Sequence, residues 1–204
     1  MDFITHCLVG AGVGRLASPG PWRPQLTLAA LLGSTLMDGD AWLALCGPEA
    51  YGLYHRVGSH SIFALTAVCA VSGALAMAAA RVPRWRRFGW FACPNLPAGS
   101  DPGMAPWPRF LLVAGMATAL HWIFDVMTGY GNLELFWPLS RRDFSLHAIN
   151  TFDAPVFCAT WGWYLAARHL DWPRRRETVL ALIYFLAVVL YVAARLRWST
   201  PTNW

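Results

Sequence analysis

The stretch FLLVAGMATALHWIFD, residues 110–125, is apolar until its end, where His121 and Asp125 stand four residues apart. Positions separated by four share one face of an α-helix, so this imidazole and this carboxylate would project together. Ionisable side chains are costly at membrane depth and are usually functional there. The stretch predicts an apolar helix with a functional pair near one end, and the alternative is a His–Asp hydrogen bond that only stabilises the helix bundle.

The composition of the whole chain is typical of a membrane protein. Of its 204 residues, 56% are hydrophobic and 13% are charged, whereas a soluble domain carries about 25% charged residues. A membrane span needs about 20 apolar residues. Uncharged apolar runs cover residues 57–80, 110–124, 154–167 and 178–194, with weaker candidates at 3–17 and 25–45. We expect a single all-α domain over residues 1–204, a polytopic transmembrane bundle of about five to six helices.

Arginine-rich runs set the expected orientation. Residues 81–87 and 168–176 carry most of the clustered positive charge, and the positive-inside rule places such runs in the cytoplasm. A Pro/Gly-rich loop at 91–108 is then cytoplasmic, and a loop at 128–152 lies over the opposite end. This orientation predicts one group of side chains at the outer face of a bacterial inner membrane: His6, Asp38, Asp40, His55, His60, His121, Asp125, His147 and Asp153.

Neutral imidazole and carboxylate are the usual ligands of Zn²⁺ and related divalent ions. Taken singly, the motifs have simpler explanations, such as a turn with a helix cap around Gly39 or histidines at the membrane interface. A closed tetrahedral site needs four ligands and a catalytic site needs three plus water, so the surplus here fits one or two ions. Zn²⁺ is expected, with Mn²⁺ or Fe²⁺ as alternatives. The predicted metal ligands are His6, Asp38, Asp40, His55, His60, His121 and Asp125.

Four residues are predicted to take part in catalysis. A metal lowers the pKa of its bound water to about 7 and makes it a nucleophile, and Asp38 or Asp40 could act as the general base. Arg56 and Arg141 could bind an anionic substrate, although interfacial arginines often only extend toward the headgroups. Two roles stay open: His147 is a ligand or lines the mouth of the site, and Asp153 orients a ligand histidine or caps the following helix.

Five segments of the chain occur in the order seen in a known family. DFITHCLVG, LLGSTLMDGD, HRVGSHSIF, HWIFDVMTGYG and WPLSRRDFSL, within residues 1–155, resemble the bacterial inner-membrane metal-dependent hydrolases, also described as LexA-regulated or LexA-binding hydrolases. The chain departs from their pattern at Met37, Ser59 and Leu139, none of which is a candidate ligand. The resemblance implies the same seven ligands, and the H-x-x-x-D element is distantly similar to zinc-dependent phospholipase C and P1-type nucleases.

The leading interpretation is a membrane-embedded, metal-dependent hydrolase that cleaves a lipid or lipid-linked substrate, preferably a phosphoester, with ester or amide cleavage left open. The alternative is a non-enzymatic membrane protein that transports a metal or protons, for which polar groups should be spread along a path across the membrane. A structural metal is a third reading. A nucleic-acid partner is not expected, because the basic runs lie opposite the candidate site.

Overall fold

The computed structural model describes residues 2–17, 22–82, 103–128, 133–150, 152–169 and 173–198. Within these ranges the chain is helical, with no named strand and one isolated bridge between Thr128 and Ile149. The elements in order are α1 (Phe3–Ala17), α2 (Arg23–Thr35), a 3₁₀ segment (Leu36–Cys46), α3 (Pro48–Tyr54), α4 (Ile62–Ala80), α5 (Trp107–Met127), α6 (Ala154–His169) and α7 (Arg174–Trp198). The all-α prediction is confirmed.

Among the residues that the structure describes, four helical stretches are long and apolar enough to cross a membrane: Arg23–Cys46, Ile62–Ala80, Trp107–Met127 and Arg175–Arg197. Their outer faces carry exposed apolar side chains, and Leu182, Ile183 and Leu186 of α7 expose 58–65% of their surface. Such faces are suited to lipid. The stretch at 154–167, expected to span, forms α6, which has 16 residues and is not among the four.

Helix α2 lies in the middle of the bundle and packs against α1, α4 and α5. Its approach to α5 is close because Gly33 has no side chain: a Cβ there would collide with the carbonyl oxygen of Ala114. The Thr118 hydroxyl lies 2.9 Å from the carbonyl oxygen of Gly33. Small residues allow membrane helices to pack this closely, and polar groups can then pair across the contact. The α2–α5 contact therefore fixes where the end of each helix lies.

The alternating direction of the helices brings four helix ends together. His6, in the first turn of α1, contacts Asp125 in the last turns of α5. The end of α2 and the start of α4 lie at the same end, because Asp38 and His60 also approach Asp125 and each other. We call this the site end. At the opposite end, Arg15 of α1 forms a 2.6 Å ion pair with Glu177 of α7.

The segment 133–150 covers the site end. The Leu135 carbonyl accepts a hydrogen bond from the Ile62 amide at 2.9 Å, and the Met127 carbonyl accepts one from the Ala148 amide at 3.0 Å. These bonds attach the segment to the start of α4 and the end of α5. Of the loops expected from sequence, residues 91–102, 129–132 and 151 lie outside the described residues. The 91–108 loop ends earlier than expected, since α5 begins at Trp107.

Candidate metal centre

Four side chains offer ligand atoms that all lie within 4.8 Å of one another: Asp38, His60, His121 and Asp125. The Nε2 atoms of His60 and His121 are 3.1 Å apart. Asp125 Oδ2 lies 2.9 Å from Nε2 of His60 and 3.4 Å from Nε2 of His121. Asp38 Oδ1 lies 3.6 Å from each of the same two nitrogens. We call these four residues the metal cluster.

The spacing of the metal cluster suits a small divalent ion. Zinc bonds to imidazole nitrogen and carboxylate oxygen measure about 2.0–2.1 Å, so the ligands of a tetrahedral site are roughly 3.3 Å apart. Five of the six separations lie between 2.9 and 3.6 Å and bracket that value, and the sixth, between Asp38 and Asp125, is within 4.8 Å. His60, His121 and Asp125 are fully buried, and Asp38 exposes 9% of its surface. The cluster could therefore hold one ion with little rearrangement.

One hydrogen bond on the far side of His121 leaves this ring in the tautomer that could bind a metal. Its Nδ1 lies 2.7 Å from the carbonyl oxygen of Ser34, the penultimate residue of α2. A carbonyl oxygen only accepts, so Nδ1 carries the proton and Nε2 keeps its lone pair toward the cluster. Second partners of this kind fix the tautomer and orientation of metal-binding histidines.

His60 is oriented by a longer chain of hydrogen bonds. The Ser59 hydroxyl donates to Asp40 Oδ2 at 2.7 Å, so its oxygen is left to accept from Nδ1 of His60 at 2.9 Å. The Nε2 lone pair of His60 then points at the cluster. Burial lowers the pKa of His60 below its ordinary value, which favours the neutral ring that binds metals.

Two predicted ligands, Asp40 and His55, pair with each other beside the metal cluster. His55 Nδ1 donates to Asp40 Oδ1 at 2.8 Å, and the backbone N–H of Arg56 donates to Asp40 Oδ2 at 3.0 Å. Both carboxylate oxygens are thus bound to the segment 55–59. The His55 ring stacks on Tyr51 and its centroid is 6.0 Å from that of His60. The structure places this pair outside the four-ligand group.

His6 contacts the metal cluster without joining its four ligands. Its ring stacks on His121 with centroids 3.7 Å apart, and its Nε2 lies 3.2 Å from Oδ1 of Asp125. It therefore contacts the Asp125 oxygen that faces away from His60 and His121.

Asp2 caps α1, because its carboxylate accepts a hydrogen bond from the Thr5 amide at 2.8 Å.

The two arginines predicted to bind substrate lie in different surroundings. Arg56 is 1% exposed; its Nη2 lies 3.1 Å from Asp125 Oδ1, and its Nη1 donates to Thr128 Oγ1 at 3.0 Å. It is an internal partner of Asp125. Arg141 is exposed, and in the described part of the chain it forms no hydrogen bond or ion pair with the cluster.

Two other residues with open roles lie apart from the cluster. His147 has 57% of its side chain exposed and lies 3.9 Å from Asp143. Although partial burial alone would raise the pKa of Asp143, hydrogen bonds from Ser145 and the Leu133 amide hold it below its ordinary value. Asp153 Oδ1 accepts from the Val156 amide at 3.3 Å. Of the two roles considered for Asp153, the structure shows the helix cap.

Some residues that build the site could not be recognised from the sequence. The Ser34 carbonyl has no sequence signal, because its role depends on the α2–α5 contact. Nor does the sequence separate the roles of Ser59 and Ser61: Ser61 caps α4, accepting from the Ala64 amide at 3.2 Å, whereas Ser59 orients His60. Glu134 is a further buried carboxylate, 8% exposed. It lies in the segment 133–150, and its burial becomes apparent only from the structure.

Comparison with protein-family models matches residues 1–199 to the family described as YdjM inner membrane protein. The chain therefore belongs to this family, and the expectation of an inner membrane protein agrees with it. No curated protein and no solved structure matches the chain. The similarity to hydrolases, phospholipase C and P1-type nucleases stays a prediction from motifs.

Proposed function

We propose that this member of the YdjM inner membrane protein family is a membrane-embedded, metal-dependent hydrolase acting on a lipid or lipid-linked substrate, with a phosphoester as the bond cleaved. The observation that carries the proposal is the metal cluster itself. Two buried imidazoles with fixed tautomers and two carboxylates lie within 4.8 Å of one another at one end of an apolar bundle. Zinc is the expected ion, and Mn²⁺ or Fe²⁺ would accept the same ligands.

The exposure of Asp38 supports a catalytic site over a closed structural one. His60, His121 and Asp125 are fully buried, whereas Asp38 exposes 9% of its surface and is the most exposed of the four. Catalytic zinc sites have three protein ligands and one position for water or substrate. We assign the three fully buried residues to holding the ion and Asp38 to contacting the water or substrate.

In this scheme Asp38 takes the proton of the attacking water. A divalent ion in the cluster would lower the pKa of water and stabilise the charge that develops on the phosphoryl oxygens. Water forms a new bond to phosphorus, the bond from phosphorus to the leaving oxygen breaks, and the proton passes from Asp38 to that oxygen. Asp40 orients His60 through the Ser59 hydroxyl, so Asp40 is a positioning residue.

The place of the cluster in the bundle supports a lipid-linked substrate. The cluster lies at the site end, where the spanning helices α4 and α5 begin and end. A bond near the headgroup of a lipid would lie at this level. Arg81 follows α4 at the opposite end, and the positive-inside rule would place that end in the cytoplasm. On this reasoning the site faces the periplasm.

Transport is the second candidate, and the distribution of buried charges weighs against it. Transport calls for ionisable groups along a path through the bundle. In the described residues, buried ionisable side chains gather at the site end, and Glu177 at the opposite end is neutralised by Arg15. A purely structural metal would also explain the cluster, and the Asp38 variant below separates that reading from catalysis.

The test combines metal analysis with a turnover screen on purified protein in detergent. The substrates are phospholipids in one arm and polyprenyl phosphates in the other, and the variants are Asp38→Asn and His121→Ala. A hydrolase should turn over at least one substrate; Asp38→Asn should keep its ion and lose roughly 10²–10⁴-fold in rate, and His121→Ala should lose both. Wild type with a bound ion but no turnover in either arm would contradict the proposal. Loss of ion and fold together in Asp38→Asn would favour a structural metal.

A further inference from the structure

We propose that the metal cluster binds a single divalent ion, because the guanidinium of Arg56 occupies the position where a second, carboxylate-bridged ion would bind. The inference rests on the metal centre of the proposed function, but it does not depend on which bond that centre cleaves. It assigns Arg56 as a positioning residue, which acts by pairing with Oδ1 of Asp125.

The two oxygens of Asp125 have different neighbours. In a two-metal site a bridging carboxylate gives one oxygen to each ion. Asp125 Oδ2 faces the histidines of the cluster, 2.9 Å from Nε2 of His60. Asp125 Oδ1 faces Nε2 of His6 at 3.2 Å and Nη2 of Arg56 at 3.1 Å. His6 and Asp125 Oδ1 are the ligands that a second ion would need. The guanidinium of Arg56 already supplies a positive charge beside this oxygen.

The fixed charges of the site balance with one ion and not with two. Asp38, Asp40 and Asp125 are joined to Arg56 through direct contacts or through the cluster. With neutral imidazoles, three carboxylates and one guanidinium leave two negative charges, which one divalent ion neutralises. A second ion would leave two positive charges in a buried site, where uncompensated charge is very costly. Glu134, also buried, forms no ion pair with this group in the described part of the chain.

Arg56 is also held in place by its own backbone. It is a non-glycine residue with φ of 71°, a left-handed conformation that needs support from its surroundings. The Asp40 carboxylate supplies that support by accepting the Arg56 amide at 3.0 Å. Thr128, which accepts from Nη1 of Arg56, donates its hydroxyl to the Asp125 carbonyl at 2.8 Å. Arg56 is therefore held both at its backbone amide and at its guanidinium. An incoming second ion would have to displace a buried, hydrogen-bonded group.

The experiment is a titration of metal-free protein with Co²⁺, followed by visible absorption, together with elemental analysis of Zn²⁺-loaded protein. The variants are Arg56→Gln, which removes the charge, and Arg56→Lys, which keeps it; Arg141→Gln is the matched control at an exposed arginine. Wild type, Arg56→Lys and Arg141→Gln should each bind one ion per chain. Arg56→Gln should show a second binding event and approach two ions per chain, which a merely structural role for Arg56 would not produce.

Several results would overturn the inference. Two ions per chain in wild type or in Arg56→Lys would contradict the single-ion inference. These two measurements decide the question even if Arg56→Gln fails to fold. A folded Arg56→Gln that binds one ion with unchanged affinity would show that Arg56 does not block a second position. No ion in wild type would remove the proposed metal centre and this inference with it. One ion per chain without any turnover would contradict the hydrolase and leave the inference intact.

Discussion

The Nδ1 atom of His121 lies 2.7 Å from the carbonyl oxygen of Ser34, so one metal-cluster residue on α5 is oriented by the backbone of α2. A carbonyl near the end of a helix lacks an intrahelical partner, and here an imidazole N–H satisfies it. The bond forms only because α2 and α5 approach closely at Gly33. Helix packing and the orientation of this candidate metal ligand are therefore linked through the same contact.

Gly33→Ala should destabilise the protein and weaken metal binding together. In an open helix position Gly→Ala stabilises by up to about 1 kcal/mol, but here the new Cβ would meet the Ala114 carbonyl and the Thr118 hydroxyl. Forced separation of the helices should cost about 1–3 kcal/mol and lengthen the bond from His121 to Ser34. Thermal unfolding in detergent and Zn²⁺ affinity measure the two effects.

The matched control is Gly162→Ala on α6, where an added Cβ would have no neighbour within 4 Å. This variant should be as stable as wild type or slightly more so, with unchanged Zn²⁺ affinity. Equal behaviour of the two alanine variants would show that the α2–α5 contact is not as close as described.

Ser59→Ala should weaken metal binding and leave the fold intact. It removes the hydroxyl that joins Nδ1 of His60 to Asp40, and loss of such outer partners typically costs 10–100-fold, roughly, in metal affinity. Ser61→Ala, two residues away, removes the cap of α4 and should instead cost about 1 kcal/mol of stability. Competition titration with a Zn²⁺ chelator and thermal unfolding should separate the two; an affinity loss confined to Ser61→Ala would reverse the assignment.

Replacing a cluster residue should remove the ion. His121→Ala and Asp125→Ala each delete one of the three residues assigned to holding the ion, and the affinity should fall by more than the roughly 10–100-fold expected for an outer partner. His147→Ala, at an exposed histidine, should keep the wild-type metal content. Elemental analysis of the three purified variants gives the answer, and unchanged content in both cluster variants would exclude this ligand set.

Removing the ion should lower the thermal stability of the wild-type protein. An ion that binds only the folded state, at a free concentration of 1,000 times its Kd, stabilises by about 4 kcal/mol. Without it the carboxylates of Asp38 and Asp125 are left close together in a largely buried site. A chelator should therefore lower the unfolding temperature of wild type but not that of His121→Ala, and an equal shift in both would indicate a nonspecific effect.

The sequence predicted the helical membrane architecture because hydrophobic composition and span length are local properties. It also predicted that histidines and aspartates from distant segments would lie at one end, since alternating helix direction follows from the charge of the loops. The structure brings Asp38, His60, His121 and Asp125 together at that end. Their role as metal ligands stays a prediction for the experiments above.

The individual role of each of these residues could not be predicted from the sequence. Whether Asp40 and His55 bind a metal or each other depends on the path of the segment 55–59, where Arg56 adopts a left-handed conformation. Nothing in the sequence marks Arg56 for that conformation, and an arginine near a cluster of acids equally suggests an anion-binding surface group. The short α6 shows the same limit, because composition alone does not fix where a helix ends.

The metal cluster draws its four residues from three separate parts of the chain: Asp38 from the 3₁₀ segment, His60 from just before α4, and His121 and Asp125 from the last turns of α5. No growing chain can present the full set until Asp125 has been synthesised and α5 has docked beside α2. Loading with metal would thus be a late event in biogenesis, after membrane insertion of these helices, and the supply of the ion would have to come from the compartment that the site end faces.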